Sequence, residues 1–222
     1  PVGSISRLLS EGFPRLRWRK PQSCAFHYPD KSGTEANAYV RGVFSAHTRR
    51  EMEKSELTFQ PQTLVDMGCG IGVSTNFLAR EFPSANAVYG IDLSPYFLDY
   101  VIHRDMEDTR FFSNSADLVS IYFVFHELPL DAIKRVLAEC NRILKPGGIL
   151  AVMDMCPNIR ASNPLMQRLF DRTEPYLKCY VEFCEFRNDA LFDAGFDVPR
   201  DVDECSRVAM FFAKKRVEEH SN

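Results

Sequence analysis

At 222 residues with 45% hydrophobic content, the chain can build one sizeable core, so one structural domain is expected. A net charge of −3 offers no basic face to a polyanion, which argues against nucleic acid as a partner. No apolar run reaches the ~18–20 residues of a membrane span, and seven cysteines without a C-x-x-C pair read as reduced thiols of an intracellular protein, not as a disulfide framework or a metal site.

In chain order, residues 1–33 are rich in proline, arginine and aromatics, with Arg15-Leu16-Arg17-Trp18-Arg19-Lys20 the most basic piece. They read as an irregular cover on the domain. The rival reading is a remnant of an organelle-targeting segment, since the stretch is Arg- and Ser-containing and the chain starts at Pro1 without Met. A soluble, cytoplasmic location is expected, with organelle import as the alternative. A helix is expected from Thr34 to about Leu57, capped by Thr34, with Tyr39, Val40, Val43, Phe44 and His47 on one face. His27 and His47 read as packing or surface residues.

The most specific stretch follows. Thr63–Met67 reads as a buried strand that carries Asp66 just before its end, enters Gly68-Cys69-Gly70-Ile71-Gly72, and opens a helix through Val73, Phe77 and Leu78. Glycines let the backbone turn tightly and approach a ligand. A second apolar run, Ala87–Asp92, ends in a second acid. The G-x-G-x-G spacing is one residue short of the dinucleotide fingerprint. Asp66 before the glycines disfavours a diphosphate and favours a ligand carrying an ammonium group, while Asp92 suits the two hydroxyls of a ribose.

Further strands are expected at Tyr100–Arg104, Leu118–Phe123 and Ile149–Asp154. A helix over Leu130–Leu144 carries an apolar stripe and is stopped by Lys145-Pro146-Gly147-Gly148. Helices follow near Leu165–Tyr176 and Glu182–Ala194, the latter ending at Gly195, then strands at Asp197–Val202 and Val208–Lys214. Alternating strands and helices imply a mainly parallel sheet covered on both faces, with ligands at the carboxyl ends of the strands. Asp66, Asp92 and His126 all lie at such ends.

Asp66-Met67-Gly68-Cys69-Gly70-Ile71-Gly72 resembles motif I of the class I S-adenosylmethionine-dependent methyltransferases. Gly90-Ile91-Asp92-Leu93-Ser94 resembles their acidic loop, Ala116–Tyr122 their fourth strand, and Leu144–Asp154 the turn and fifth strand. The resemblance covers roughly residues 60–155. It implies a Rossmann-like, doubly wound α/β fold with a seven-stranded, mainly parallel sheet, an antiparallel last strand and helices on both faces. Residues 1–58 would be a cover segment and helix, and 59–222 the cofactor-binding part of a single structural domain.

By the same resemblance, Asp66, Gly68, Cys69, Gly70 and Gly72 would hold the methionine moiety of S-adenosylmethionine. Asp92 would take the ribose, Leu93 would pack on the adenine, and Asp105 and Met106 would meet its edge. Ile121 and Tyr122 would lie below the reactive methyl. Cys69 reads as a small residue in a tight place. His126 and Glu127 follow the fourth strand, where an acceptor sits, and are candidates for base catalysis. The other reading gives them loop-shaping and capping roles. Tyr176, Tyr180 and Phe183 could line the acceptor pocket or be plain core.

Only 24 residues separate Asp92 from Asp117, about a helix fewer than the family spends, so either the helix after Ser94 is truncated or residues are missing near Tyr100–Val101, the second being the expectation. The implied function is methyl transfer to the oxygen or activated carbon of a small molecule, leaving S-adenosylhomocysteine. The alternatives are a degenerate cofactor-binding partner protein, a methyltransferase for a protein side chain and, less compatible with the glycine spacing, a nicotinamide-dependent oxidoreductase. The acceptor and the oligomeric state are not legible.

Overall fold

The computed structural model describes residues 33–54, 60–97, 102–157, 164–198, 203–204 and 208–217. Seven strands form one sheet in the order β3-β2-β1-β4-β5-β7-β6. They are β1 Thr63–Met67, β2 Ala87–Asp92, β3 Ile102–His103, β4 Ala116–Tyr122, β5 Leu144–Met155, β6 Asp203–Glu204 and β7 Val208–Lys214. The pairs among β1 to β5 are parallel, whereas β7 runs antiparallel to both β5 and β6. The expected topology is therefore the observed one.

β4 sits at the centre because all seven of its residues are buried, as a strand covered on both faces must be. Its side chains alternate between two cores. Ala116, Val119 and Ile121 join the first, with helix α3, Leu130–Ile143, and the later helices α5, Leu177–Glu185, and α6, Arg187–Asp193. Leu118 and Tyr122 join the second, with Val40, Phe44 and Met52 of helix α1, Gly33–Lys54, and Leu78 of helix α2, Val73–Glu81. In α3 the expected stripe of Ile133, Val136, Leu137, Cys140 and Ile143 is fully buried.

Several boundaries differ from the sequence expectation. β4 stops at Tyr122 because Phe123 turns to φ 55. β5 starts at Leu144, so Lys145–Gly148 lies inside an irregular strand opening and not in a separate loop. The helix expected to reach Tyr176 is α4, Pro164–Thr173. It stops ahead of Glu174, whose successor Pro175 disfavours helical geometry at that residue. The helix expected over Glu182–Ala194 is instead two, α5 and α6, broken where Phe186 leaves helical geometry (φ −118, ψ 21) and packs edge-on against Phe183.

β3 occupies Ile102–His103. The suspected gap near Tyr100–Val101 falls outside the described residues, as do positions 55–57 of the first helix, positions 199–202 of the strand expected over Asp197–Val202, and residues 1–32. β6 lies just beyond that stretch. Among the described residues, no helix is long and apolar enough to cross a membrane, and Cys69, Cys140, Cys156, Cys179 and Cys184 are not disulfide-bonded.

One buried carboxylate of α3 ties the segment after β3 to that helix. Glu139, 7% exposed, accepts hydrogen bonds from the Thr109 N–H (2.8 Å) and hydroxyl (2.6 Å), and from Arg142 (2.7 Å). Burial alone would raise the pKa of this carboxyl, but Arg142 and Thr109 outweigh it and hold it below the ordinary glutamate value. A depressed carboxyl contributes stability above its unfolded pKa and loses it as pH falls through the folded one. We expect Glu139→Gln to cost about 1–3 kcal/mol near neutrality. That cost should shrink below about pH 4.5, the ordinary value. Urea denaturation at the two pH values checks both statements.

Candidate functional site

The glycine loop is built from conformations that only glycine adopts readily. Gly68, Gly70 and Gly72 have φ of 68, 56 and 80. The N–H groups of Gly68 and Cys69 both donate to Ile91 O (2.9 and 3.1 Å), which anchors the loop to the end of β2. The Gly70 N–H donates to Asp92 Oδ2, and the Ser94 N–H to Asp92 Oδ1, each at 2.8 Å. Asp92 thus orders two backbone segments while staying half-buried.

A Cβ on Gly68 would stand 2.5 Å from Val124, and one on Gly90 would stand 2.7 Å from Thr75 and 2.8 Å from Cys69. A Cβ on Gly70 would meet nothing within 4 Å. The loop is therefore closed on its inner side and open on its outer side. Ile71, 57% exposed, and Leu93, 59% exposed, the chain neighbours of Gly70 and Asp92, present apolar surface to solvent. The loop lies at the junction of β1 with β2 and β4, where the strand order reverses and open α/β sheets bind ligands.

Asp66 departs from its expected part. It is fully buried, and its Oδ2 accepts from the hydroxyls of Ser74 (2.6 Å) and Thr75 (2.8 Å) at the start of α2. It does not reach the open face, so it positions the loop and helix from beneath. Its Oδ1 has no hydrogen-bond partner, and burial raises its pKa. Cys69 is buried too. Burial, with help from Asp66 and Asp92, pushes its thiol up to about 12, so it stays protonated and packs.

Asp105 is exposed and accepts from the Glu107 N–H (2.8 Å), while Met106 is half-buried against the core. His103 Nε2 lies 2.8 Å from Leu93 O and joins β3 to the loop after β2, a contact without a sequence signal. Ile121 and Tyr122 cannot share the expected place, because alternation sends them to opposite faces. Ile121 is fully buried in the first core. Tyr122 is in the second, with the Arg41 guanidinium 4.2 Å above its ring.

Past β4, Phe123 holds a left-handed backbone that costs a bulky residue about 1–2 kcal/mol. The turn delivers Phe125–Glu127 as a single 3-10 turn beside the end of β5. His126, 1% exposed, has Nδ1 2.6 Å from Asp154 Oδ1. Its Nε2 has no hydrogen-bond partner and lies 3.8 Å from both Glu127 Oε1 and Glu174 Oε2.

Burial would lower the pKa of His126, but Asp154 outweighs it, with Glu127 and Glu174 adding, and the net direction is up. Desolvation raises the pKa of the Glu127 carboxyl. The imidazole opposes that shift, while the carboxylates of Glu174, Asp154 and Asp92 reinforce it. The Glu127 side chain remains 55% exposed. Of the two residues picked from sequence, Glu127 reaches the surface and His126 does not.

Asp154 and Glu174 were not picked as site residues. Asp154 had a signal, since it ends an apolar strand as Asp66 and Asp92 do, whereas Glu174 had none. Tyr180 and Phe183 are core, 2% and 0% exposed, and Tyr176 is 41% exposed.

Residues 65–152 match the family described as "Methyltransferase domain". An uncharacterized methyltransferase of Synechocystis is 31% identical over 141 residues, covering 59% of this chain and 65% of that protein. Demethylmenaquinone methyltransferase of Thermotoga maritima is 26% identical over 162 residues, covering 68% and 65%. The chain thus spans less than two thirds of these curated relatives. Phosphoethanolamine N-methyltransferase 2 of Haemonchus contortus, solved in complex with S-adenosylmethionine, shares the fold with a TM-score of 0.56 at 15% identity, over 78% of this chain and 53% of that one.

Proposed function

We propose, since residues 65–152 match the family described as "Methyltransferase domain", that the protein is a class I S-adenosylmethionine-dependent methyltransferase that methylates a small-molecule acceptor at oxygen or activated carbon. The observation that carries this reading is the loop open only at Gly70, with Asp92 beside it and Leu93 exposed next in the chain. That shape fits a nucleoside joined to an amino acid. Asp92 has lone pairs beyond those used by Gly70 and Ser94, and these suit ribose hydroxyls. Leu93 offers a face to a purine. Gly68, Cys69, Gly70 and Gly72 bring backbone polar groups to the methionine end, with Asp66 fixing their geometry from below. Asp105 and Met106 close the adenine side, and Tyr122 supports the floor.

S-adenosylmethionine supplies a methyl group already activated on a sulfonium. What the chain must add is alignment and, for an acceptor bearing a proton, a place for that proton. His126 and Glu127 stand on the acceptor side, after β4. Glu127 is the member that reaches the acceptor, with its basicity raised by its surroundings, while His126 stays buried behind it. Among the relatives, a demethylmenaquinone methyltransferase and a trans-aconitate 2-methyltransferase are named for small-molecule acceptors, which supports the same class here.

Calorimetric titration with S-adenosylhomocysteine, with a nicotinamide cofactor as competitor, tests the reading. One saturable site indifferent to the competitor is expected, followed by S-adenosylhomocysteine release with a quinol, enol or carboxylic acid acceptor. No binding by the folded chain would overturn it.

A further inference from the structure

We propose that His126, Glu127 and Glu174 bind a divalent transition-metal ion, with Asp154 as the outer partner that fixes the histidine tautomer. The donor atoms are His126 Nε2, Glu127 Oε1 and Glu174 Oε2. Each oxygen lies 3.8 Å from the nitrogen, and all three atoms lie within 4.8 Å of one another. At 3.8 Å neither carboxylate hydrogen-bonds to Nε2. Two ligand atoms each ~2.1 Å from one ion stand at most ~4.2 Å apart, so the nitrogen–oxygen spacings already suit coordination. Rotation of the half-exposed Glu127 closes what remains.

Nε2 is the independent observation. It is a polar atom of a side chain 1% exposed, without a hydrogen-bond partner, and it faces both carboxylates. Its orientation is set from behind. Asp154 takes the Nδ1–H at 2.6 Å, and Asp154 itself is held by the Met155 N–H (2.6 Å) and the His126 N–H (3.3 Å). A carboxylate holding one ring nitrogen, so that the other keeps its lone pair, is the usual arrangement behind a metal-bound histidine.

Charge points the same way. Three carboxylates surround one imidazole, and Asp154 and Glu174 are 1% and 5% exposed. A divalent cation offsets two of those three negative charges, where a ring proton offsets one. The nitrogen donor selects against magnesium and calcium and for zinc or a later first-row metal such as nickel or copper, with cobalt serving as the spectroscopic substitute for zinc. Glu127 would bind through one oxygen and keep the other toward the acceptor. That the ion anchors an acceptor oxygen rests on the methyltransferase reading above, but its binding does not.

The test uses the full chain, stripped with a chelator and dialysed. Zn²⁺ is titrated by calorimetry and Co²⁺ by visible absorption, with S-adenosylhomocysteine titrated in parallel. One equivalent of ion is expected, with affinity reduced at least tenfold in Glu174→Gln and in the surface variant Glu127→Gln, while S-adenosylhomocysteine affinity is unchanged. If Glu174→Gln does not fold, Glu127→Gln carries the comparison. No binding by the parent chain would overturn the site. So would binding indifferent to both substitutions, or cobalt spectra with thiolate charge-transfer bands. If the ion binds and S-adenosylhomocysteine does not, the methyltransferase reading falls and the metal site stands.

Discussion

Gly70→Ala is expected to fold and lose its cofactor, while Gly68→Ala loses much of its fold. Both positions have positive φ, so a methyl group costs each about 1–2 kcal/mol of backbone strain. Their surroundings then separate them. At Gly68 the added atom lands 2.5 Å from Val124 Cγ2, and relieving that overlap costs a further ~1–3 kcal/mol. The sum is a large part of the ~5–15 kcal/mol that stabilises an ordinary domain. At Gly70 the methyl enters open space, the same space a ligand would occupy. Stability should therefore fall only by the strain, while S-adenosylhomocysteine affinity falls at least tenfold, about 1.4 kcal/mol. Thermal unfolding and calorimetry on both variants test this. Equal losses of stability would remove the distinction between the two sides of the loop.

Asp92→Ala is expected to weaken S-adenosylhomocysteine by about 2–4 kcal/mol. The substitution removes the carboxylate proposed to receive the ribose, and it also releases the Gly70 and Ser94 N–H groups that this carboxylate orders. Asp92→Asn keeps an oxygen for one of those donors and should fall between parent and alanine. Parent-like binding by Asp92→Ala would detach the second acid from ligand recognition and leave it only a role in loop geometry.

The sheet was legible because β1, β2 and β7 are short apolar runs with clear punctuation, and their boundaries agree to the residue with expectation. The break at Phe186 was not legible. The periodicity of Tyr180, Phe183, Ala190 and Leu191 continues through it, and only the packing of the Phe186 ring reveals the interruption. The same limit applies to the candidate site. Glycines and strand-end acids announce themselves along the chain, so the loop, Asp66 and Asp92 could be picked out. Which way a carboxylate points could not, and Asp66 turned inward to Ser74 and Thr75. Glu174 stands 47 residues beyond Glu127 on a separate segment, and no local pattern connects it to His126.

The antiparallel pairing of β7 with β5 also bears on how the chain is made. Synthesis delivers β1 to β5 first, yet seven register positions along β5, from Ile149 to Met155, wait for partners at 208–214. During that interval a buried-type apolar strand presents an open edge, the kind of surface on which nascent chains pair wrongly. Because α4, α5 and α6 emerge between the two strands, their folding onto the first core falls within the period of greatest exposure. Dependence on chaperones during translation should therefore be concentrated in the last third of the chain, away from the ligand loop, which is complete long before.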